Sequence, residues 1–136
     1  MNKIVDFNGI GYVAATFPVN EATVAYLKAN HLNASTGNVD INGKNLAVTL
    51  DKDGKVGFGT GTEALLGIII AYEMDGFASV QIIGGIDEVP TAAALEAGAK
   101  GLAVNAKGEI VEAEGGKTVT VAKPSTAENL FASIIL

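Results

Sequence analysis

The chain has no cysteine and no tryptophan, one histidine, three prolines, and aromatic residues at only 6%. Without cysteine there can be no disulfide, no thiolate metal site and no cysteine nucleophile, and the redox compartment leaves no trace in the sequence. One histidine cannot form a multi-histidine metal site. With no tryptophan and three tyrosines, the chain is poorly equipped to stack sugar rings as carbohydrate-binding modules do. Charge is also scarce: 18% of residues are charged, the formal net charge is -6, and the nine basic residues are scattered. That pattern lacks the basic footprint of a nucleic-acid partner. No apolar run reaches the roughly 20 residues that span a bilayer, and Met1-Asn2-Lys3-Ile4-Val5-Asp6 lacks the apolar core of a signal peptide. The expectation is a chain made in the cytoplasm, with no membrane partner.

What is present is small and aliphatic. Hydrophobic residues make up 49% of 136 residues, and the mean hydropathy is +0.35. The length fits one compact domain, with a core of Val, Ile, Leu and Ala. So apolar a composition predicts that a partner covers part of the surface, most simply another copy of the chain. Seventeen glycines punctuate short runs rich in Val, Ile and Thr, which reads as mainly β structure. Asp53-Gly54, Asp75-Gly76 and Lys107-Gly108 each separate two such runs and predict three hairpins.

The chain also repeats itself. Lys44-Asn45-Leu46-Ala47-Val48 matches Lys100-Gly101-Leu102-Ala103-Val104 at an offset of 56, and Phe77-Ala78-Ser79-Val80 matches Phe131-Ala132-Ser133-Ile134 at an offset of 54. Two copies are too few for a solenoid, so a duplicated β unit predicts two halves of a small sandwich or barrel. One or two short helices are expected. Asn20 can cap a helix over 21–28, where Glu21 and Lys28 suit the helix dipole, although Thr23 and Val24 fit a strand equally well. Thr91 can cap the Ala/Leu/Glu run 92–97, which stops at Gly98. The first 19 residues have no clear period and read as an extended N-terminal arm, whose deletion should weaken attachment more than folding. The division is therefore an arm and connecting segment over 1–43 and a β-rich body over 44–136, within one compact domain.

The chemical motifs fail on inspection. His31, flanked by Asn30 and Asn33, has no Gly-x-Ser-x-Gly elbow to serve and reads as a loop histidine. Asp51-Lys52-Asp53-Gly54 begins like a calcium loop, but positions six and twelve are Val56 and Thr62 rather than Gly and Glu. Gly57-Phe58-Gly59-Thr60-Gly61 lacks the spacing of a phosphate-cradling loop, and the Ile68-Ile69-Ile70 run after it favours a strand. The carboxylates Asp87-Glu88 and Glu109, Glu112 and Glu114 lie beside turns and read as a solvated face. Asn33-Ala34-Ser35 spells a glycosylation acceptor of no use without secretion. The expectation is a non-enzyme with no catalytic residue, cofactor or metal.

From Lys44 onward the chain resembles the small head-decoration, or capsid-cement, proteins of tailed phages. The resemblance is carried by Gly54-Lys55-Val56, Leu66-Gly67-Ile68-Ile69 and Asp75-Gly76-Phe77-Ala78-Ser79-Val80-Gln81. It continues through Glu88-Val89-Pro90, Ala97-Gly98-Ala99-Lys100-Gly101-Leu102-Ala103-Val104 and Lys107-Gly108-Glu109-Ile110-Val111, and covers about two-thirds of the chain. It implies a β-tulip-like fold, a homotrimer on the outer surface of the capsid, the major capsid protein as partner, the virion as location, and capsid stabilisation as function. By the same resemblance Phe7, Tyr12 and Phe17 in the arm become candidate interface anchors, since aromatics are enriched at hot spots. Another virion part, a tail or fibre component, is the alternative within the same class. A small carbohydrate-binding β-sandwich is the alternative from another.

Overall fold

Alternating aliphatic runs bounded by glycine turns give ten strands and one helix among the described residues. The structure is a computed structural model that describes residues 11–73 and 75–136. The strands are β1 (Val13–Pro18), β2 (Ala47–Leu50), β3 (Val56–Gly57), β4 (Gly67–Tyr72), β5 (Phe77–Ile83), β6 (Gly85–Pro90), β7 (Gly98–Val104), β8 (Ile110–Glu112), β9 (Lys117–Lys123) and β10 (Phe131–Ile135); α1 is Glu21–Asn30. The helix is neither long nor apolar enough to cross a membrane.

The strands form two antiparallel five-stranded sheets, ordered β1-β5-β4-β2-β3 and β6-β10-β9-β7-β8. The second order is the first with five added to every strand, so the fold is a duplication. Detail repeats as well. Val19 bridges Val56 in parallel, and Thr91 bridges Ile110 in the same way. Pro18 pairs with Phe77, and Pro90 with Phe131. β4 slips register against β5 between Ile69 and Ala71, and β9 against β10 between Val121 and Lys123, so each sheet carries a bulge at the same place.

All three expected hairpins are present, as β2–β3, β4–β5 and β7–β8. One repeat register needs correction. Val56 pairs with Leu50 and Ile110 with Val104, so Leu50 corresponds to Val104 at an offset of 54, the same as Phe77 to Phe131, and not the 56 read from the matching strings. A two-residue slip leaves the in/out alternation unchanged, which is why the apolar strings match at the wrong offset.

The halves differ where α1 sits. Pro18 and Pro90 are 72 positions apart while Val56 and Ile110 are 54 apart, so the first half carries 18 extra residues between its first and third strands. These residues decide the packing. In β4, Ile68 joins one apolar cluster, with Ile86, Leu102, Val121 and Ile134 of the second sheet. Its neighbour Ile69 joins another, with Val48 and Val80 and with Leu27 of α1 and Ile41 of the following loop. At β4 the first sheet is thus covered on both faces, by the second sheet on one side and the α1 layer on the other, which accounts for the unbroken Ile68-Ile69-Ile70 run. In the second sheet β9 alternates instead: Val119 and Val121 are buried while Thr118 and Thr120 face solvent.

Helix over strand at 21–28 is settled by the cap. Asn20 is extended and its side chain accepts from the Thr23 N–H at 2.9 Å, while Glu21 and Lys28 occupy the first and last turns. The expected helix over 92–97 is not there. Six residues are too few to sustain a helix without tertiary support, and here tertiary contacts draw the segment out. Leu95 is buried and bridges Ser125, whose hydroxyl takes the Leu95 N–H at 2.8 Å and the Thr91 hydroxyl at 3.1 Å. The arm also needs correction: residues 13–18 are extended but are a strand of the first sheet, paired with β5 along their length. Removing residues 1–19 therefore takes away an edge strand and the buried Val19.

Candidate interaction surface

Several groups with chemical potential take part in the structure. His31 ends α1, donating its N–H to the Leu27 carbonyl at 2.8 Å. Its Nδ1 lies 3.4 Å from Lys44 Nζ. Partial burial and the Lys44 charge push its pKa down. Its ring thus faces a cation, and no carboxylate among the described residues hydrogen-bonds to it. The surface depression beside it, about 230 Å³, is lined by Asn30, Leu32, Asn33, Asp40 and Lys44. Ser125 is buried, but its Oγ is engaged by Thr91, Leu95 and the Ala93 carbonyl. Among the described residues no cluster of three or more acidic or histidine side chains could hold a metal, and no buried side-chain polar atom lacks a hydrogen-bond partner.

The calcium-like turn shows its purpose by its twin. Asp51 Oδ1 accepts the N–H groups of Asp53 and Lys55 at 2.9 and 3.0 Å, and Asn105 Oδ1 accepts those of Lys107 and Glu109 at the same distances. An amide does in one half what a carboxylate does in the other, so the requirement is a turn acceptor rather than an ion ligand. The glycine-rich stretch is equally structural. A side chain at Gly57 would collide with Asn20 and Thr23, and the Phe58 N–H donates to Thr23 Oγ1 at 3.0 Å, so glycine there admits the start of α1.

Of the other carboxylates, Asp87 accepts the Ser133 hydroxyl at 2.7 Å. Glu109 accepts from Asn105 Nδ2 at 2.9 Å, and Glu112 stands 3.9 Å from Lys100 at the surface. Glu63, fully exposed, is the most perturbed group among the described residues. Its carboxylate accepts the Thr60 N–H at 2.7 Å and the Thr60 hydroxyl at 3.0 Å, with its own backbone and the Thr62 N–H adding to the effect. These hydrogen bonds lower its pKa to about 2. The turn so held crosses between the halves: the Val104 N–H donates to the Glu63 carbonyl, and the Gly61 N–H to the Val104 carbonyl.

A groove of about 260 Å³ runs between Lys28 of α1, Leu32, residues 37–39 and Tyr72. Burial and the nearby Asp75 charge raise the Tyr72 pKa. Leu32, Val39 and the Tyr72 ring make its lining mainly apolar, with Lys28 and Asn38 as its polar side chains.

What remains is apolar surface. Tyr12 is 66% exposed, just ahead of β1. Phe17 is half-buried against the cluster under α1, so it packs the body, and Phe7 lies outside the described residues. Sequence reasoning missed a better-matched pair, Phe77 and Phe131, which are 41% and 44% exposed. They open equivalent strands and each lies across from a proline. The signal was in the repeat: Ala78 and Ala132 are fully buried, so alternation along a strand turns the preceding phenylalanine outward. Val13 and Ile83, paired across β1 and β5, are also about half exposed.

Set against family models, curated proteins and solved structures, the chain matches none of them.

Proposed function

We propose that this protein is a virion structural component that binds the outer surface of a phage capsid and stabilises it as a decoration, or cement, protein. The reading begins from the resemblance of residues 44–136 to capsid-cement proteins. The observation that carries it is the pair Phe77 and Phe131, two exposed aromatic side chains presented at equivalent places by a duplicated β body. A side chain exposed once needs no explanation; exposed twice by a repeated scaffold, it suits a lattice in which similar contacts recur. The body suits the role as well, for Asp51, Glu63, Ser125 and His31 serve turns, a bridge and a helix end, and a clamp needs stiffness rather than a reactive pocket. The acidic net charge of -6 fits the outside of a DNA-filled shell better than the inside. In this reading the copies form homotrimers and the major capsid protein is the partner.

Sedimentation with expanded, empty phage heads tests the proposal. The protein should pellet with the heads and raise the temperature at which they fall apart. Replacing Phe77 and Phe131 together by Ser should weaken binding at least tenfold while the circular dichroism spectrum stays β-rich. His31→Ala should bind as the parent does. Failure to pellet with heads, or recovery on purified tails, overturns the reading.

A further inference from the structure

The duplication supplies an internal control for a question single sheets leave open: which edge strand is guarded. β1 and β6 are equivalent outer strands of the two sheets, and unpaired edges invite pairing with another chain unless charge, proline or a bulge blocks them. β6 is guarded in three ways. It carries Asp87 and Glu88 in its middle, its register breaks there between Ile86 and Val89, and Glu88 adopts a positive φ of 57°. Asn45 covers it further by donating to the Asp87 carbonyl at 2.8 Å. β1 has none of these over residues 14–17. Its one irregularity against β5 falls at its start, between Val13 and Ala14, and its proline is its last residue. No charged residue occurs from 7 to 20, between Asp6 and Glu21. Over residues 13–18 no described strand pairs with the side of β1 that faces away from β5; just past its end, Val19 bridges Val56 of β3 and the Asn20 N–H donates to the Val56 carbonyl. Exposed Tyr12, Val13 and Ile83 gather at the same rim.

We propose that the edge of β1 over residues 14–17, which no described strand covers, is a self-association surface, on which β1 of one copy pairs antiparallel with β1 of a second copy across a two-fold axis. The charge pattern selects this occupant. The molecule carries a net charge of -6, so two copies repel on average, whereas β1 meets its own image with no charge on either side. Small Ala14, Ala15 and Thr16 leave room for close approach, and Thr opposite Thr or Ala is compatible with a strand pair. Opposed residues must share a face, so the axis passes through a residue rather than between two, and the middle of β1 places it at or beside Ala15. The result is one continuous sheet of ten strands through both copies. The pairing is two-fold, so it is separate from any three-fold contact and would link one trimer to the next.

The natural absence of cysteine makes the test clean. Single cysteines are placed at Ala14, Ala15 and Thr16, and at Glu88 on the guarded edge as control, in the full chain. Directly opposed residues bring their Cα atoms about 4.5–5.5 Å apart, within disulfide range. At least one of the three β1 variants should therefore give a covalent dimer on mild oxidation, and Glu88→Cys should not. Sedimentation velocity of the unmodified protein should show a concentration-dependent dimer that Thr16→Lys weakens at least tenfold. The proposal is overturned by a species that does not associate as concentration rises, by cross-linking from Glu88→Cys but from none of the β1 variants, or by association that Thr16→Lys leaves unchanged. No capsid enters the experiment, so its outcome is independent of the decoration reading.

Discussion

Glu63 shows how an exposed side chain acts on structure far larger than itself. Its carboxylate closes the turn over 60–63, and that turn's backbone is hydrogen-bonded to Val104 in the other half. Its folded pKa, about 2 against an ordinary 4.5, means that the ionised form stabilises the fold at neutral pH. This contribution is complete above the unfolded value and disappears as pH falls through the folded one. Asp51, lowered by the Lys55 and Asp53 backbone N–H groups, works in the same direction. Urea midpoints should therefore fall as the pH drops from about 5 to about 2. Glu63→Gln should start lower at neutral pH and lose less over that range. A variant with the same acid profile as the parent would remove Glu63 from the account.

At the scale of elements, the two hairpins of the repeat are a matched pair whose glycines differ in surroundings. Gly54 and Gly108 share a φ of 78°, but a side chain at Gly54 meets open space, while one at Gly108 would press on Phe58 Cε1 at 2.6 Å and approach Leu46. Gly54→Ala should cost about 1–2 kcal/mol from the left-handed backbone alone. Gly108→Ala should cost a further ~1–3 kcal/mol for overpacking. Chemical denaturation of both variants separates strain from collision, and equal losses would contradict the contact with Phe58. The helix makes a similar case. Leu27 is fully buried and joins α1 to the first sheet, so Leu27→Ala should lose about 2–5 kcal/mol, although the helix lies outside the duplicated unit.

On the scale of the whole molecule, two copies of one five-stranded sheet share a core. Ala47, Leu65 and Ile68 of the first half lie in the same apolar cluster as Leu102, Val121 and Ile134 of the second, and β2 meets its counterpart β7. A core shared in this way predicts one cooperative transition. In calorimetry the ratio of calorimetric to van't Hoff enthalpy should be near one, and two resolved transitions would mean that the halves unfold separately. For the same reason, deleting residues 1–19 should lower stability by removing β1 and Val19 from a finished sheet. Binding tests on that truncation would mix unfolding with lost contact, so point substitutions on β1 are the sharper probe.

The β class, the three glycine hairpins and the fact of repetition were all legible in the residues, because each rests on local chemistry such as alternation and left-handed turns, and Asn20 was legible as a possible cap while helix and strand stayed equally open over 21–28. The register of the repeat was not, since strings such as Leu-Ala-Val fit a strand at either of two offsets and only cross-strand pairing to Val56 and Ile110 chooses between them. Nor was the fate of residues 13–18 or 92–97. One is a strand because β5 offers an edge, the other is not a helix because Leu95 and Ser125 draw it into the second half. The candidate anchors divide along the same line. Aromatic character marked Tyr12 and Phe17 alike, but whether an aromatic ring packs inward or stands out depends on which neighbours bury it, and that is decided by long-range packing that no short stretch of sequence contains.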